Sequence, residues 1–339
     1  MPPRGWPGGL ASTAAADILL VSLGSTAGLR AADSELAGAL RRAGAHVEIA
    51  AAQAPRELRT YALTDLAWAR AARVAARAGI AAHAPRAIVY STTTAALLWP
   101  RPGAIRFDAP AAANRPGRHG IWQRPLEARR LAAAALLLPW DAGSLAETPR
   151  PHADAIIVPV AVEPSPATGA PRDIAAITYA ANPQKKGLDR VLAAWAQART
   201  GEEELVVAGA DLRLADVSGV RVAGRLAPAE YRALLRRSRV FATAPRREDY
   251  GIAQLEALAD GCLLVTTTAP GPYAALPLAR ALDPRLVAAD DGGLPPALRC
   301  ALDTPSPGYA QRAATALAPF TRASVDTVVR DELLPRLLG

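Results

Sequence analysis

The residues of this chain best suited to chemistry are two glutamates, Glu248 and Glu256, with seven residues between them. The apolar run Val240–Ala244 precedes them and is typical of a buried strand, and apolar residues at helical spacing begin at Ile252. The sequence therefore predicts a strand, a tight loop that carries Glu248, and a helix that carries Glu256 about one turn from its start.

The predicted junction between strand and helix suits an anionic ligand such as a diphosphate. The first backbone N–H groups of a helix have no partner within the helix, and here they would lie at the carboxyl end of a strand. Two carboxylates would repel phosphates, so we expect them to accept hydrogen bonds from the neutral hydroxyls of a sugar or a ribose.

The whole run from Glu248 to Gly261, Glu-Asp-Tyr-Gly-Ile-Ala-Gln-Leu-Glu-Ala-Leu-Ala-Asp-Gly, resembles the signature of family 4 retaining glycosyltransferases. The resemblance implies the α/β fold called GT-B, in which two Rossmann-like domains face each other across a cleft. It implies transfer of a hexose, with retention of configuration, from a UDP- or GDP-linked donor to an acceptor hydroxyl. Glu256 would then bind the ribose hydroxyls and Glu248 a hydroxyl of the transferred sugar.

Two adjacent lysines, Lys185 and Lys186, are the only lysines among 39 basic residues. They follow the apolar strand Ile174–Tyr179 and precede a helical pattern, so they are predicted at the same edge as the glutamates. A compact ammonium group suits a diphosphate. The resemblance implies that Lys186 binds it, whereas Ala180 stands where the family usually has a second, arginine contact. We expect Lys185 or an arginine such as Arg225 to substitute.

Other donor-binding candidates are backbone groups and small residues near these loops. They are Gly251, Ile252 and Ala253 at the helix start, Asn182 beside the lysines, and Gly24 in the first half of the chain. The strand Asp17–Ser22 and the predicted loop Leu23–Arg30 place Gly24 at a carboxyl end, where glycine lets the backbone approach a ligand. A plain turn is the alternative there.

The remainder of the first half reads as further strands and one polar loop. We predict a strand from His46, and others at Ala87–Ser91, Ala104–Asp108, Ala134–Trp140 and Ala155–Val160, the last two completing the sheet. Asp108 and His119 are the candidate catalytic residues on this side of the cleft, and the resemblance implies an acceptor-side role for Arg115 and Arg118. A solvated surface loop is the alternative for His119.

The chain divides at the Pro- and Ala-rich segment Pro164–Pro171. We predict an acceptor-side domain over residues 1–164, a donor domain over 165–319, and a last helix over 320–339. The resemblance implies that this helix crosses back to the first domain. The likeness is close over the second half and only architectural over the first.

Composition limits the other function classes. Hydrophobic residues make up 51% of the chain and charged residues 21%, as in a folded globular protein, and the net charge of +8 favours acidic ligands. Arginines are dispersed, which argues against nucleic-acid binding. On the predicted helix 62–80, Arg70, Arg73 and Arg77 favour a solvated face over a surface that docks on an anionic membrane.

The two cysteines offer neither a disulfide framework nor a metal site, and the first sixteen residues lack the apolar core of a signal peptide. We therefore expect a cytoplasmic enzyme without a metal or other cofactor, since no Asp-x-Asp is present. Its partners would be a nucleotide-sugar donor and a sugar, lipid or small-molecule acceptor. A peripheral contact with the anionic inner face of a membrane is left open. The alternatives are a nucleotide-sugar epimerase or hydrolase, a catalytically weakened nucleotide-sugar-binding protein, and a basic protein that binds nucleic acid or anionic lipid.

Overall fold

The computed structural model describes residues 15–56, 60–166, 169, 171–211 and 217–339. Residues 1–14 lie outside these ranges, and they are most of the stretch in which no signal peptide is predicted. Residues 167, 168 and 170 of the predicted linker also lie outside these ranges.

The first sheet is built from five short strands whose residues are largely apolar and buried. They are β1 (Ile18–Ser22), β2 (Val47–Ala51), β3 (Ala87–Tyr90), β4 (Ala104–Phe107) and β5 (Leu137–Pro139). All pairs are parallel, in the order β2-β1-β3-β4-β5. Near-continuous apolar strands are expected when helices cover both faces of a parallel sheet.

Among the described residues of this half, six helices connect or flank these strands. They are α1 (Ala27–Arg42), α2 (Tyr61–His83), α3 (Thr93–Ala96), α4 (Ala111–Asn114), α5 (Gln123–Ala132) and α6 (Ala142–Ala146), with a 3₁₀ turn at Gly117–Gly120. The predicted loop Leu23–Arg30 is therefore half helix. Thr26 accepts a hydrogen bond from the N–H of Leu29 and starts α1 at Ala27.

The predicted strand Ala155–Val160 is wrong, because only Ala155 forms a bridge to β5. The N–H groups of Ile156 and Val158 do bond to the carbonyls of Leu137 and Pro139. The next bond of a parallel ladder would need an N–H from Pro139, and proline has none. The strand predicted over Ala134–Trp140 is three residues long in the structure, Leu137–Pro139.

The second sheet has six parallel strands. They are β6 (Ile174–Tyr179), β7 (Leu205–Ala208), β8 (Val220–Gly224), β9 (Ser238–Thr243), β10 (Leu263–Thr267) and β11 (Val287–Ala288), in the order β11-β10-β9-β6-β7-β8. Its helices are α7 (Leu188–Ala198), α8 (Pro228–Arg237), α9 (Ile252–Ala259), α10 (Ala275–Leu282), α11 (Leu294–Asp303) and α12 (Tyr309–Ala316). The expectation of two parallel α/β sheets is confirmed.

The carboxyl-terminal segment is α13 (Arg322–Val328), a π-helical turn at Val329–Leu333, and α14 (Leu334–Leu338). Its apolar face, which includes Val325, lies in the core of the first sheet. Arg42 of α1 holds Asp326 at 2.7 Å. The segment thus packs on the domain opposite to the one that precedes it in sequence.

In the part of the chain that the structure describes, no helix is both long and apolar enough to cross a membrane. The solvent-facing side of α2 presents Arg70, Val74 and Arg77.

Candidate functional site

Two loops meet at the carboxyl edge of the second sheet. The lysine loop, residues 180–187, follows β6, and the acidic loop, residues 244–251, follows β9. Because β6 and β9 are paired, the loops are neighbours, and the N–H of Arg246 bonds to the carbonyl of Lys185 at 3.0 Å.

Gly187 makes the close contact between these loops possible. Its φ of +64° lies in the left-handed region, and a Cβ there would be 1.9 Å from the carbonyl oxygen of Ala244. Arg190, one turn into α7, donates to the same carbonyl at 2.9 Å. The glycine therefore sets how near the lysines come to the acidic loop.

Both lysines are paired with carboxylates of the acidic loop. The Nζ of Lys186 is 2.6 Å from Oε2 of Glu248, which is 3% exposed, and the Nζ of Lys185 is 2.5 Å from Oδ2 of Asp249. Burial opposes ionisation of Asp249, but its contacts with Lys185 and Arg247 hold its pKa below the ordinary value. The site therefore holds its cations close to carboxylates, and an incoming anion would compete for them.

The first turn of α9 presents backbone N–H groups beside these pairs. Its amino-terminal cap is Gly251, whose φ is +93°, and no side chain caps the helix. The amides of Ile252 and Ala253 are thus not occupied by a capping side chain, and they are the groups predicted to bind an anion.

Glu256 lies one turn further along α9, partly exposed. Its Oε1 is 3.6 Å from Nη1 of Arg232, which bonds more closely to Asp260, at 2.6 Å. Burial raises the pKa of Glu256 to about 7, with Arg232 opposing the shift and Asp260 adding to it. Its carboxyl group is therefore poorly paired within the protein, which suits a group that accepts hydrogen bonds from a ligand.

The first domain brings the carboxyl group of Asp108, at the end of β4, to the edge of this cluster. Burial raises the pKa of Asp108 to about 6, and the nearby charge of Asp249 adds to the effect while Lys185 opposes it. The two domains therefore meet here with charged groups from both sides.

The other acceptor-side candidates are placed differently. Arg118 and His119 are exposed on the 3₁₀ turn. Arg115 is turned to Asp65 of α2, with its Nε 2.8 Å from Oδ2, so its guanidinium already has a partner within the domain.

Two further predicted donor residues have local structural roles. Asn182 accepts a hydrogen bond from the N–H of Lys185 at 2.9 Å and so shapes the lysine loop. Gly24 has a φ of +57°, and its carbonyl accepts from Arg30. Ala180 is fully buried and packs in an apolar cluster with Leu188. Its methyl side chain therefore provides no hydrogen-bond donor to the site.

The acidic loop also touches the first domain directly. Arg247 joins Asp249 to Glu147 of the first domain, with both bonds at 2.7 Å. The hydroxyl of Tyr250 accepts from the N–H of Val160 at 3.1 Å. The site thus lies where the two domains are in contact.

Sequence reasoning missed Asp249, Arg247 and Gln254. Gln254 donates to Oε2 of Glu248 at 2.9 Å. All three lie within the segment Pro245–Gly261 that predicted the site. Gln254 carried a further signal, since a polar residue on the buried side of a short helix is unusual.

Among the described residues, no three His, Cys, Asp or Glu side chains group so as to hold a metal ion. Ammonium groups of Lys185 and Lys186 and the guanidinium group of Arg247 lie close to the acidic loop.

Residues 172–291 match the family model described as glycosyl transferases group 1. The match covers both loops of the site, and it confirms the predicted resemblance at the level of group 1 glycosyl transferases. No curated protein matches the sequence.

Several solved structures share the fold over most of the chain. WaaG, a glycosyltransferase involved in lipopolysaccharide biosynthesis, is similar with a TM-score of 0.68 and 15% identity over 95% of this chain and 99% of that one. Alr3699/HepE from Anabaena, in complex with UDP and glucose, is similar with a TM-score of 0.67 and 14% identity over 93% of this chain and 98% of that one. A UDP-forming trehalose-phosphate synthase from Burkholderia xenovorans has a TM-score of 0.61 and 16% identity over 80% of this chain and 76% of that one. The predicted GT-B fold is thereby confirmed.

Proposed function

From the premise that its second domain is a glycosyl transferases group 1 domain, we propose that the protein is a glycosyltransferase. It transfers a sugar from a nucleoside-diphosphate sugar to the hydroxyl of a sugar, lipid or small-molecule acceptor. The observation that carries this proposal is the meeting of Lys186, Glu248 and the uncapped first turn of α9 at one sheet edge.

Each part of the donor has a complementary group in this arrangement. The diphosphate would take the amides of Ile252 and Ala253 together with Lys186 and Lys185. Glu256 would accept from the ribose hydroxyls, and Glu248 from a hydroxyl of the transferred sugar. Developing negative charge on the leaving diphosphate is then stabilised by fixed dipoles and ammonium groups, which act more strongly in the transition state than in the bound donor.

The proposed reaction proceeds without a divalent ion and with retention of anomeric configuration. The lysines and the end of α9 supply the positive potential that a metal would otherwise supply. Asp108, at the edge of the site, would orient the acceptor hydroxyl or take its proton, and His119 and Arg118 would offer polar groups on the same domain.

A nucleotide-sugar-binding protein with weakened catalysis is the second candidate. It is favoured by Ala180, which provides no phosphate contact, and by the carboxylate partners that both lysines already have. Measured turnover with acceptor present separates this candidate from the first. Release of free sugar, or of an epimer, without transfer would indicate the hydrolase or epimerase alternative.

A panel of nucleoside diphosphates and nucleotide sugars can be tested at millimolar concentration. We expect the ligands that carry one particular base to raise the melting temperature of the protein by several degrees. Bound ligand stabilises the folded state by mass action. Glu256→Ala should abolish this shift, whereas Glu202→Ala, at an exposed site of the same domain, should retain it. The absence of a shift with every nucleotide would contradict the proposal.

Affinity for a nucleotide sugar is expected to rise as the pH increases from 6 to 8. The pKa of Glu256 is raised to about 7, and only the ionised carboxylate accepts from both ribose hydroxyls. Calorimetric titration at several pH values measures this slope, and Glu256→Gln should remove it. An equal slope in the variant would assign the pH dependence to another group.

In the protein without ligand, Glu256 makes the free energy of unfolding depend on pH in the opposite direction to the ligand affinity. The pKa of Glu256 is higher folded than its ordinary value of 4.5, so the folded state binds more protons between these values. Its contribution to the free energy of unfolding therefore falls as the pH rises from about 4.5 to 7.

A further inference from the structure

Gln254 is a buried polar residue in the first turn of α9. It is 1% exposed and shares the buried side of the helix with Leu255, Ala257 and Leu258. Burying an amide costs free energy unless its hydrogen bonds are made, so an apolar residue would serve packing better. Its side-chain amide donates a hydrogen bond to the carboxylate of Glu248 at 2.9 Å.

Glu248 receives two donors on the same oxygen. Lys186 Nζ lies 2.6 Å from Oε2, and Gln254 Nε2 lies 2.9 Å from it. The two donors differ in what a diphosphate does to them. The ammonium of Lys186 is attracted to a phosphate, whereas the neutral amide of Gln254 gains little from one and is held by its helix.

We propose, on the basis of the function proposed above, that Gln254 is a positioning residue for the donor sugar. It keeps the carboxylate of Glu248 in the orientation that accepts a sugar hydroxyl while Lys186 turns to the diphosphate. Without Gln254, a donor that takes Lys186 would leave Glu248 with no fixed partner, and the carboxylate would no longer be preorganised for the sugar.

Neighbouring groups restrict how the Gln254 side chain can move. The Oε1 of Gln254 and the ring of Tyr273 both lie 3.3 Å from where a Cβ on Gly251 would be. Tyr273 is fully buried, and its hydroxyl is 2.6 Å from the hydroxyl of Thr266. Its φ of +40° is strained for a bulky residue, so the surrounding structure must fix it.

The Gln254 amide thus lies close to Gly251 and to the buried side chain of Tyr273, which leaves it little room to move. An amide confined in this way can hold an orientation, whereas a flexible lysine cannot. The strain at Tyr273 is consistent with a site held in a defined geometry rather than one that merely packs.

The inference is tested by comparing affinities for UDP and UDP-glucose, measured by titration calorimetry on the full chain. In Gln254→Leu, which keeps the volume but removes the donor, UDP affinity should stay within about twofold. UDP-glucose affinity should fall by about tenfold, the effect of one hydrogen bond to a charged group. GDP and GDP-mannose are the probes if the protein binds guanine nucleotides instead.

A double-mutant cycle with Glu248→Gln shows whether Gln254 acts through Glu248. Once Glu248 is changed, Gln254→Leu should cause no further loss of affinity for the nucleotide sugar. Gln254→Asn, whose amide is too short to reach, should behave as the leucine variant does. Gln197→Leu, at an exposed glutamine of α7, should leave both affinities unchanged.

The possible outcomes separate the two proposals. Equal losses for UDP and UDP-glucose, or independent effects of the two substitutions, would overturn the positioning role while leaving the nucleotide site intact. Failure of the unmodified protein to bind any of the four ligands would overturn the proposed function itself, and this inference with it.

Discussion

Lys186→Ala is expected to weaken nucleoside diphosphate binding by about 10- to 100-fold and also to destabilise the fold. The loss of affinity follows from removing a charge-assisted contact, about 1.5–3 kcal/mol. The loss of stability follows because the carboxyl group of Glu248, 3% exposed, would stay buried without its cationic partner. Removing one partner of a buried pair costs about 3 kcal/mol. Calorimetry and urea denaturation measure the two effects separately.

Two further variants distinguish binding from folding at this position. Lys186→Met combined with Glu248→Gln removes both charges, so most of the stability should return while the affinity for UDP stays low. Lys185→Ala is the comparison for stability, because Asp249 keeps its contact with Arg247 at 2.7 Å when Lys185 is removed. Its effect on stability should be below about 1 kcal/mol. Recovery of UDP affinity in the double variant would argue against Lys186 as a phosphate ligand.

Gly187→Ala is expected to lower the free energy of unfolding by about 3 kcal/mol. Alanine costs about 1–2 kcal/mol in the left-handed region, and forcing an extra methyl group into a packed site adds about 1–3 kcal/mol. The new Cβ would stand 1.9 Å from the carbonyl oxygen of Ala244, so the lysine loop and the acidic loop must separate. Urea denaturation measures the loss, and nucleotide affinity should fall with it.

Gly201→Ala separates these two causes. Gly201 has a φ of +53°, but a Cβ there has nothing within 4 Å. Its alanine variant should therefore lose about 1 kcal/mol, from conformation alone, with nucleotide affinity unchanged. Similar losses in the two variants would mean that the contact between the loops carries little of the energy.

The sequence predicted the parts of this site that depend on local pattern. A buried apolar run followed by a helical period marked β9 and α9, and a second such junction marked β6 and α7. Because parallel strands end at one edge, the pattern also predicted that Lys186 and Glu248 would lie near each other. Local interactions and the direction of the strands determine these features.

The errors arose where one backbone atom outweighs the pattern. Ala155–Val160 has the composition of a strand, but Pro139 on the neighbouring strand lacks the N–H that would continue the ladder. Thr26 capped a helix earlier than the glycines of the predicted loop suggested. Cap and ladder geometry are decided by individual hydrogen bonds, which hydrophobic periodicity does not reveal.

The sequence by itself thus determined two α/β domains and the segments that carry the candidate site. Only the tertiary structure decided which charges pair: Lys186 with Glu248, 62 residues away, and Arg247 with Glu147 of the other domain, 100 residues away. It also showed that the amide of Gln254 donates to the carboxylate of Glu248 and that Gly187 sets the spacing of the two loops. Such contacts depend on angles and distances between elements, and the packing of the two domains fixes these.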